Sequence, residues 1–438
     1  MGDKKHEMKA LTSIDILVCG GGPAGIFAAL AAAQSGRSTL LVESSGRLGG
    51  AGVNAMVNQI WLATDTPFVR DIFERDLHGH LQNSEFLDLA YTDLIERNGA
   101  ELLLHAPVFA ALTHSGSEHT VVTGVHLATS QGPLTVEAGR VIDATGDGTV
   151  AFLAGATFEY GRVADGRVQP VTIMFRVSGV HHEKSMEANG GRNNYPFPEG
   201  GWDHHTMAAH ARGELPSNVG KVRTYLADRP GDRYINATQI NDIDGTSIFD
   251  LTRAELEARR QVTPIMDFLR AHAPGFKEAY VSGMPASVGV RETRRFKCQK
   301  TQNREDCLNG RTFPDAVCSG CTAPLDIHNP AGPGQATGTS DAHPAGRDPV
   351  VQPYDIPYDC LVPEATDSLL LAGRCIGGTH EAHASYRFQT ICMATGAAAG
   401  FAAAASLKQN CQPRAIDLKP VQTALGIVRN AEEKPKGK

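Results

Sequence analysis

The chain lacks the marks of several large protein classes, and each absence narrows the reading. Its first residues, "MGDKKHEMKALTS", contain no apolar core of the kind an export signal needs, so residues 1–13 are expected to form a disordered lead-in. No long basic run is present, and the formal net charge of -7 gives no electrostatic footprint for nucleic acid. The short cluster "RETRRFK" does not offset that balance. Cysteine is sparse and odd in number, nine in 438 residues, which excludes a disulfide framework and points to a reducing cytoplasm. Internal repeats are absent. So is the H-E-x-x-H spacing of a zinc helix, since His380 and His383 stand in H-E-A-H, and no metal is expected. One apolar run, Ile391 to Leu407, approaches bilayer-spanning length. Alanine and glycine dominate it, and Gly396 and Gly400 are small enough to bring a helix backbone close to a neighbour, so a buried helix against a sheet is expected and no membrane.

What is present is an ordinary globular composition, 41% hydrophobic and 20% charged, long enough for two or three domains. From Ile14 to Gly20 a β-branched run reads as a buried strand, Pro23 to Gly36 as an alanine-rich helix, and Ser38 to Glu43 as a second strand. That is a βαβ unit. A helical pattern ends at Gly99, strand character resumes at Ala100, and two alternating segments around "SQGP" suggest a small β meander before a further strand, "RVIDATG". The expected class is α/β: a Rossmann-like domain with a parallel sheet and small meander, residues 14–161, and an inserted α+β substrate domain, residues 162–350, ending in a Gly/Pro-rich loop. Residues 351–409 return to the first domain, and 410–438 read as a polar tail.

Gly20, Gly22 and Gly25 supply G-x-G-x-x-G between a strand and a helix, the context the motif requires. The first permits the tight turn and the second lets a pyrophosphate approach. The third lets helix and strand pack closely, while Pro23 and Ala24 open the helix whose N-terminus faces the phosphates. Glu43 ends the next strand where an acid accepts hydrogen bonds from an adenosine ribose. Beyond it Arg47, Gly49 and Gly50 form a second backbone-exposing run. Ala144 and Gly146 end another strand, and "LLLAGRCIGG" gives a further strand and glycine loop. Four such stretches, from residue 20 to about 391, suit a long dinucleotide lying extended.

These stretches resemble the FAD-dependent oxidoreductase family, related to the glutathione reductase-type fold and more distantly to succinate dehydrogenase and fumarate reductase flavoproteins. The middle motifs "GVRETRR", "FPDAVCSGCTAPLDIHNP" and "YDIPYDCLVPE" extend the likeness over most of the chain. The resemblance implies that Gly20, Gly22, Gly25 and Glu43 hold the adenosine diphosphate half of FAD and that Val108 flanks the adenine. It places Gly373, Arg374 and the turn before Ile391 by the flavin. Only one full glycine fingerprint occurs, so a separate NAD(P)H domain is not expected. The reading is an enzyme that moves a hydride between a small organic substrate and flavin N5, with an unidentified electron acceptor or donor and room for a homo-oligomer. The alternative is a flavin-bearing electron-transfer subunit working with a partner protein, against which the long middle segment argues, because a carrier needs little pocket.

Catalytic candidates cluster in "THEAHASYR". His380 has an unperturbed pKa near neutrality and suits a proton acceptor. His383 and Tyr386 are next in line, and Arg387 suits a substrate anion. A structural hydrogen bond is an equal reading for each. Arg291, Arg294 and Arg295 suit a carboxylate or, equally, inter-domain salt bridges. Cys318 and Cys321 read as small buried thiols, with a redox pair as the alternative.

Overall fold

The computed structural model describes residues 10–80, 83–186, 188–189, 192–193, 201–334 and 350–427. Most of the expected lead-in, the centre of the Gly/Pro-rich loop and the last eleven residues of the tail, 428–438, lie outside the described residues.

Strand β1 (Ala10–Cys19) turns into helix α1 (Pro23–Gln34) and returns as β2 (Thr39–Val42), parallel to β1. Ile16 to Cys19 are buried, as expected where both faces of a parallel strand are covered. The short helices α2 (Ala51–Asn54) and α3 (Pro67–Ile72) precede α4 (Ser84–Arg97). The Asn83 side chain caps α4 by accepting from the Glu85 and Phe86 N–H groups. β3 (Glu101–Leu103) then joins β2 in parallel.

β4 (Val108–Ser115), β5 (Thr120–Thr129) and β6 (Gly132–Asp143) form the meander. Here the sequence reading needs correction, because "RVIDATG" is no separate strand. β6 pairs antiparallel with β5 over Gly132–Glu137 and in parallel with β1 from Thr135 to Asp143, so one long strand serves both arrangements. Its extra length lets it overhang the parallel sheet.

After α5 (Thr149–Leu153) and β7 (Phe158–Tyr160) comes a second sheet. It is built from β8 (Met174–Ser178), β9 (Ala188–Asn189), β10 (Arg192–Asn193), β11 (Arg223–Leu226), β12 (Arg233–Asn236) and β13 (Tyr280–Gly283). The order is β10-β9-β11-β12-β8-β13, antiparallel throughout. Two helices belong to it, α6 (Gly201–Ala211) and the amphipathic α7 (Ile248–His272). From α7, Ala254, Ala258, Ile265 and Leu269 share one buried cluster with Phe175, Val177 and Ile235 of the sheet.

β14 (Arg294–Phe296) pairs with β7; after α8 (Arg304–Leu308), β15 (Ala316–Cys321) pairs with β16 (Tyr354–Pro357). Phe296, Val317, Cys318 and Leu325 are buried in the core of the first sheet. The chain therefore returns to the first unit near Arg294, well before the expected residue 350. The cause is the apolar content of "DAVCSGC", which the first core absorbs. β17 (Thr366–Asp367) and β18 (Leu369–Leu371) then complete the parallel sheet against β5 and β6.

Three helices close the chain: α9 (His380–Tyr386), α10 (Gln389–Lys408) and α11 (Lys419–Leu425). α10 is long and apolar enough to cross a membrane, but 83% of its apolar window is buried inside the fold. Its close neighbour is α1 as well as the sheet. A Cβ on Gly396 would lie 2.0 Å from the Ala24 carbonyl oxygen, and one on Gly400 2.3 Å from that of Ala28. α11 corrects the expected polar tail: Val421 and Leu425, one turn apart, are buried in the main core.

Candidate active site

Four neighbouring parallel strands end at one level. In register, Val42 stands beside Cys19, Cys19 beside Asp143, and Asp143 beside Leu371. The residues that follow, Glu43, Gly20, Ala144 and Ala372, all line one cavity of about 910 Å³ at the carboxyl edge of the sheet. That edge is where open α/β sheets bind ligands.

The glycines there have separate duties. Gly20 has φ +104°, and a Cβ on it would meet the Ala144 oxygen at 2.5 Å. Around Gly22 the space is open, the nearest atom to an added Cβ being the Gly50 Cα at 3.9 Å. Gly25 packs helix on strand, since its Cβ would fall 1.7 Å from the Gly20 oxygen. α1 begins with Pro23 and has no side-chain cap, which leaves its first-turn N–H groups for an anion. The Glu43 carboxylate accepts from the Gly21 N–H at 2.6 Å and the Ser45 N–H at 2.7 Å, fixing the acid at the cavity rim.

Gly20, Gly22, Pro23, Ala24, Glu43, Gly50, Val108, Ala144, Gly146, Gly373 and Arg374 all line the cavity. Four residues expected beside the cofactor do not. Gly25, in the first turn of α1, faces the Gly20 backbone; Arg47 is drawn to α4 by Asp88, Nε to Oδ2 3.0 Å. The Gly49 N–H donates to the Gly21 oxygen at 2.8 Å, and Ile391 is buried in α10. Sequence reasoning missed Asp147, which follows Gly146 in "TGDG". Its Oδ1 accepts from Arg374 Nη2 at 2.5 Å and from the Thr293 hydroxyl at 2.8 Å, while Arg374 Nη1 donates to that hydroxyl at 2.8 Å. This closed ring ties the strand ends of β6 and β18 to the segment before β14.

The opposite wall comes from the second sheet and the segment after β15. Arg291, Asp326, His328 and Arg387 meet there. Arg387 Nη2 donates to Asp326 Oδ2 at 3.0 Å and to the Asp326 carbonyl oxygen at 2.9 Å. His328 Nε2 stands 3.4 Å from the same Oδ2, and Arg291 Nη1 donates to the Pro170 carbonyl oxygen at 2.6 Å. Burial alone would raise the pKa of Asp326, but His328 and the two guanidiniums hold it well below the carboxylate range. Burial, reinforced by Arg291, pushes the His328 imidazole down to about 4, so it is neutral at pH 7.

His380, His383 and Tyr386, expected at the substrate, stand apart from this cavity. The Thr379 hydroxyl caps α9 by accepting from the Ala382 N–H, and the short helix turns all three inward. His380 is 3% exposed, with Nδ1 2.9 Å from Glu292 Oε1. Burial lowers the pKa of His383 well below its usual value, and neither of its ring nitrogens has a hydrogen-bond partner among the described residues. The Tyr386 hydroxyl donates to the Ile376 oxygen at 3.2 Å. Glu292 also pairs with Arg295 and accepts from the Gln169 N–H at 3.0 Å. The Gln169 side chain accepts in turn from the His328 N–H at 3.1 Å. His380 thus braces, from behind, the wall that carries Arg291 and His328. Arg294 lies over the Phe152 ring. Cys318 and Cys321 are buried with sulfurs 3.3 Å apart, outside the cavity lining, and Thr64 and Thr66 hydroxyls reach Cys318. Among the described residues no group of three or more His, Cys, Asp and Glu is placed to hold a metal ion.

A glycine cradle at a parallel switch point, opening into a long cavity walled by a second sheet, defines a dinucleotide-dependent oxidoreductase. The family model for FAD dependent oxidoreductases matches residues 15–425, and the chain belongs to that family; it is an enzyme and its cofactor is FAD. No curated protein matches the chain. Among solved structures it is similar to a geranylgeranyl bacteriochlorophyll reductase-like protein from Thermoplasma acidophilum, at 14% identity over 96% of this chain and 83% of that one, TM-score 0.46. It is also similar to p-nitrophenol 4-monooxygenase from Pseudomonas putida DLL-E4, at 11% identity over 95% and 84% of the two chains, TM-score 0.46. A third likeness is to anhydrotetracycline hydroxylase from Streptomyces rimosus, at 14% identity over 94% and 65%, TM-score 0.41.

Proposed function

We propose that the enzyme is a dehydrogenase-type flavoprotein of the cytoplasm, in which a hydride passes between a small organic substrate and flavin N5 while His328 handles the accompanying proton. Gly20, Gly22 and the N-terminus of α1 would hold the pyrophosphate, Glu43 the adenosine ribose, and Val108 the adenine. Gly373, Arg374 and the N-terminus of α10, where Phe388 and Gln389 line the cavity, would hold the flavin end. FAD, when bound, supplies the two-electron chemistry, and the protein orients the partners and excludes water.

The observation that carries this reading is the His328–Asp326–Arg387 constellation on the wall facing the cradle. A neutral imidazole at pH 7 accepts a hydroxyl or amine proton, and Asp326 beside it stabilises the imidazolium that results. Arg387 keeps Asp326 ionised and in place. An external acceptor or donor completes the cycle. The antiparallel second sheet, with no second βαβ glycine turn among the described residues, supports a small diffusing partner in place of a built-in NAD(P)H domain. His328→Asn should keep FAD and fold but slow flavin reduction by about 100-fold. An unchanged rate across the pH range would remove His328 from the proton path.

A further inference from the structure

The wall opposite the glycine cradle is rich in cations. Arg291 has no ion pair among the described residues, and its one hydrogen bond is to a backbone oxygen, that of Pro170. It lies in the cavity wall with Arg387, and the two guanidiniums repel: burial and Arg387 together push the pKa of Arg291 down. Lys221 and Arg223 line the same end from the edge of β11. Two carboxylates, Asp203 and Asp326, stand beside these four cations. Asp326 is engaged by Arg387, and Asp203 by Arg223 at 2.9 Å and by Lys221 at 3.5 Å. Among the described residues Arg291 is left without a hydrogen-bonded carboxylate in this pocket, and the attraction of Asp326 balances its charge only in part. Arg294 and Arg295 add nothing to the pocket, one lying over Phe152 and the other paired with Glu292. The Nε of Arg387 is buried without a partner among the described residues. A guanidinium held this way, against a like charge, is stabilised most by an anion that brings two acceptor oxygens in one plane.

We infer that the substrate is a small organic carboxylate, with its carboxylate seated on Arg291 beside Arg387 and His328 facing the rest of the molecule. This rests on the flavin reading above but concerns binding alone, and is tested without turnover. The FAD holoenzyme is titrated with oxalate, malonate and benzoate and with their neutral amides, following the flavin spectrum. Inorganic phosphate serves as a further probe. At least one acid should perturb the spectrum saturably, with its amide and phosphate at least tenfold weaker. In Arg291→Gln the acid should lose at least tenfold in affinity while FAD content stays constant; Arg291→Lys, which keeps the charge, should lose less. Equal binding of acid and amide, equal binding of phosphate, silence from every acid, or loss of FAD in Arg291→Gln would each overturn the assignment. These acids carry no hydride to give, so their binding tests this inference alone, and the hydride-transfer reading stands or falls separately with the His328→Asn rate.

Discussion

Gly396→Ala probes the contact that holds the two cofactor-facing helices together. The new methyl would lie 2.0 Å from the Ala24 carbonyl oxygen, 2.7 Å from its carbonyl carbon and 2.8 Å from its Cα. All three are backbone atoms of the first turn of α1, so no side chain can swing aside. α10 must retreat by about 1 Å to restore ordinary contact. Overpacking of this kind costs about 1–3 kcal/mol, and the backbone nature of the clash argues for the upper end. Replacing glycine by alanine within a helix returns about 1 kcal/mol. The net expectation is a loss of about 2 kcal/mol, read as a lower urea midpoint with unchanged slope. Because Ala24 lines the cavity and the retreat separates the two helix starts, FAD retention should fall too, since binding constellations tolerate only about 0.5 Å of displacement. A variant as stable as the parent and equally loaded with FAD would show that the α1–α10 crossing is not the clamp described.

Two further outcomes follow from the same geometry. The His328 imidazole titrates near 6.5 when unfolded and near 4 in the fold, so between those values the unfolded chain binds more protons and stability falls as pH drops. About 2 kcal/mol should be lost from this source between pH 7 and pH 5; urea unfolding of His328→Asn should show a correspondingly shallower decline, and parallel curves would refute the buried, neutral state. NADH and NADPH should reduce the flavin only slowly. Rapid, saturable bleaching by either at micromolar concentration would reveal a nucleotide site that the fold does not suggest.

The legible parts of this molecule were those where one physical signal dominates. β1, α1 and β2 follow from a β-branched run, an alanine-rich helix and two glycines, Gly20 and Gly25, whose contacts admit no Cβ, so local pattern and tertiary need agree. Where two signals compete, the sequence misleads. "SQGP" makes a real turn, yet the twelve-residue strand that leaves it runs on through Thr135 to Asp143 in the parallel sheet, a pairing no local pattern encodes. α9 is seven residues long, too short for helical periodicity, and only its capping Thr379 betrays that His380 and His383 turn inward. α11 is polar overall, and its two buried residues, Val421 and Leu425, carry the whole signal. His328 sits among glycines and prolines that read as a surface loop, and nothing local shows that Arg291 and Arg387 converge from distant segments on it and on its near neighbour Asp326.

The central claim is that the carboxyl edge of the parallel sheet cradles FAD, and the most direct test is the visible absorption spectrum of the purified chain with identification of the released cofactor. The account predicts a flavin spectrum and about one FAD per chain. It also predicts marked loss of that flavin in Gly22→Val, whose side chain would occupy the open space before the N-terminus of α1. A folded protein that carries tightly bound NAD and no flavin, or a Gly22→Val variant that keeps its full FAD complement, would contradict it.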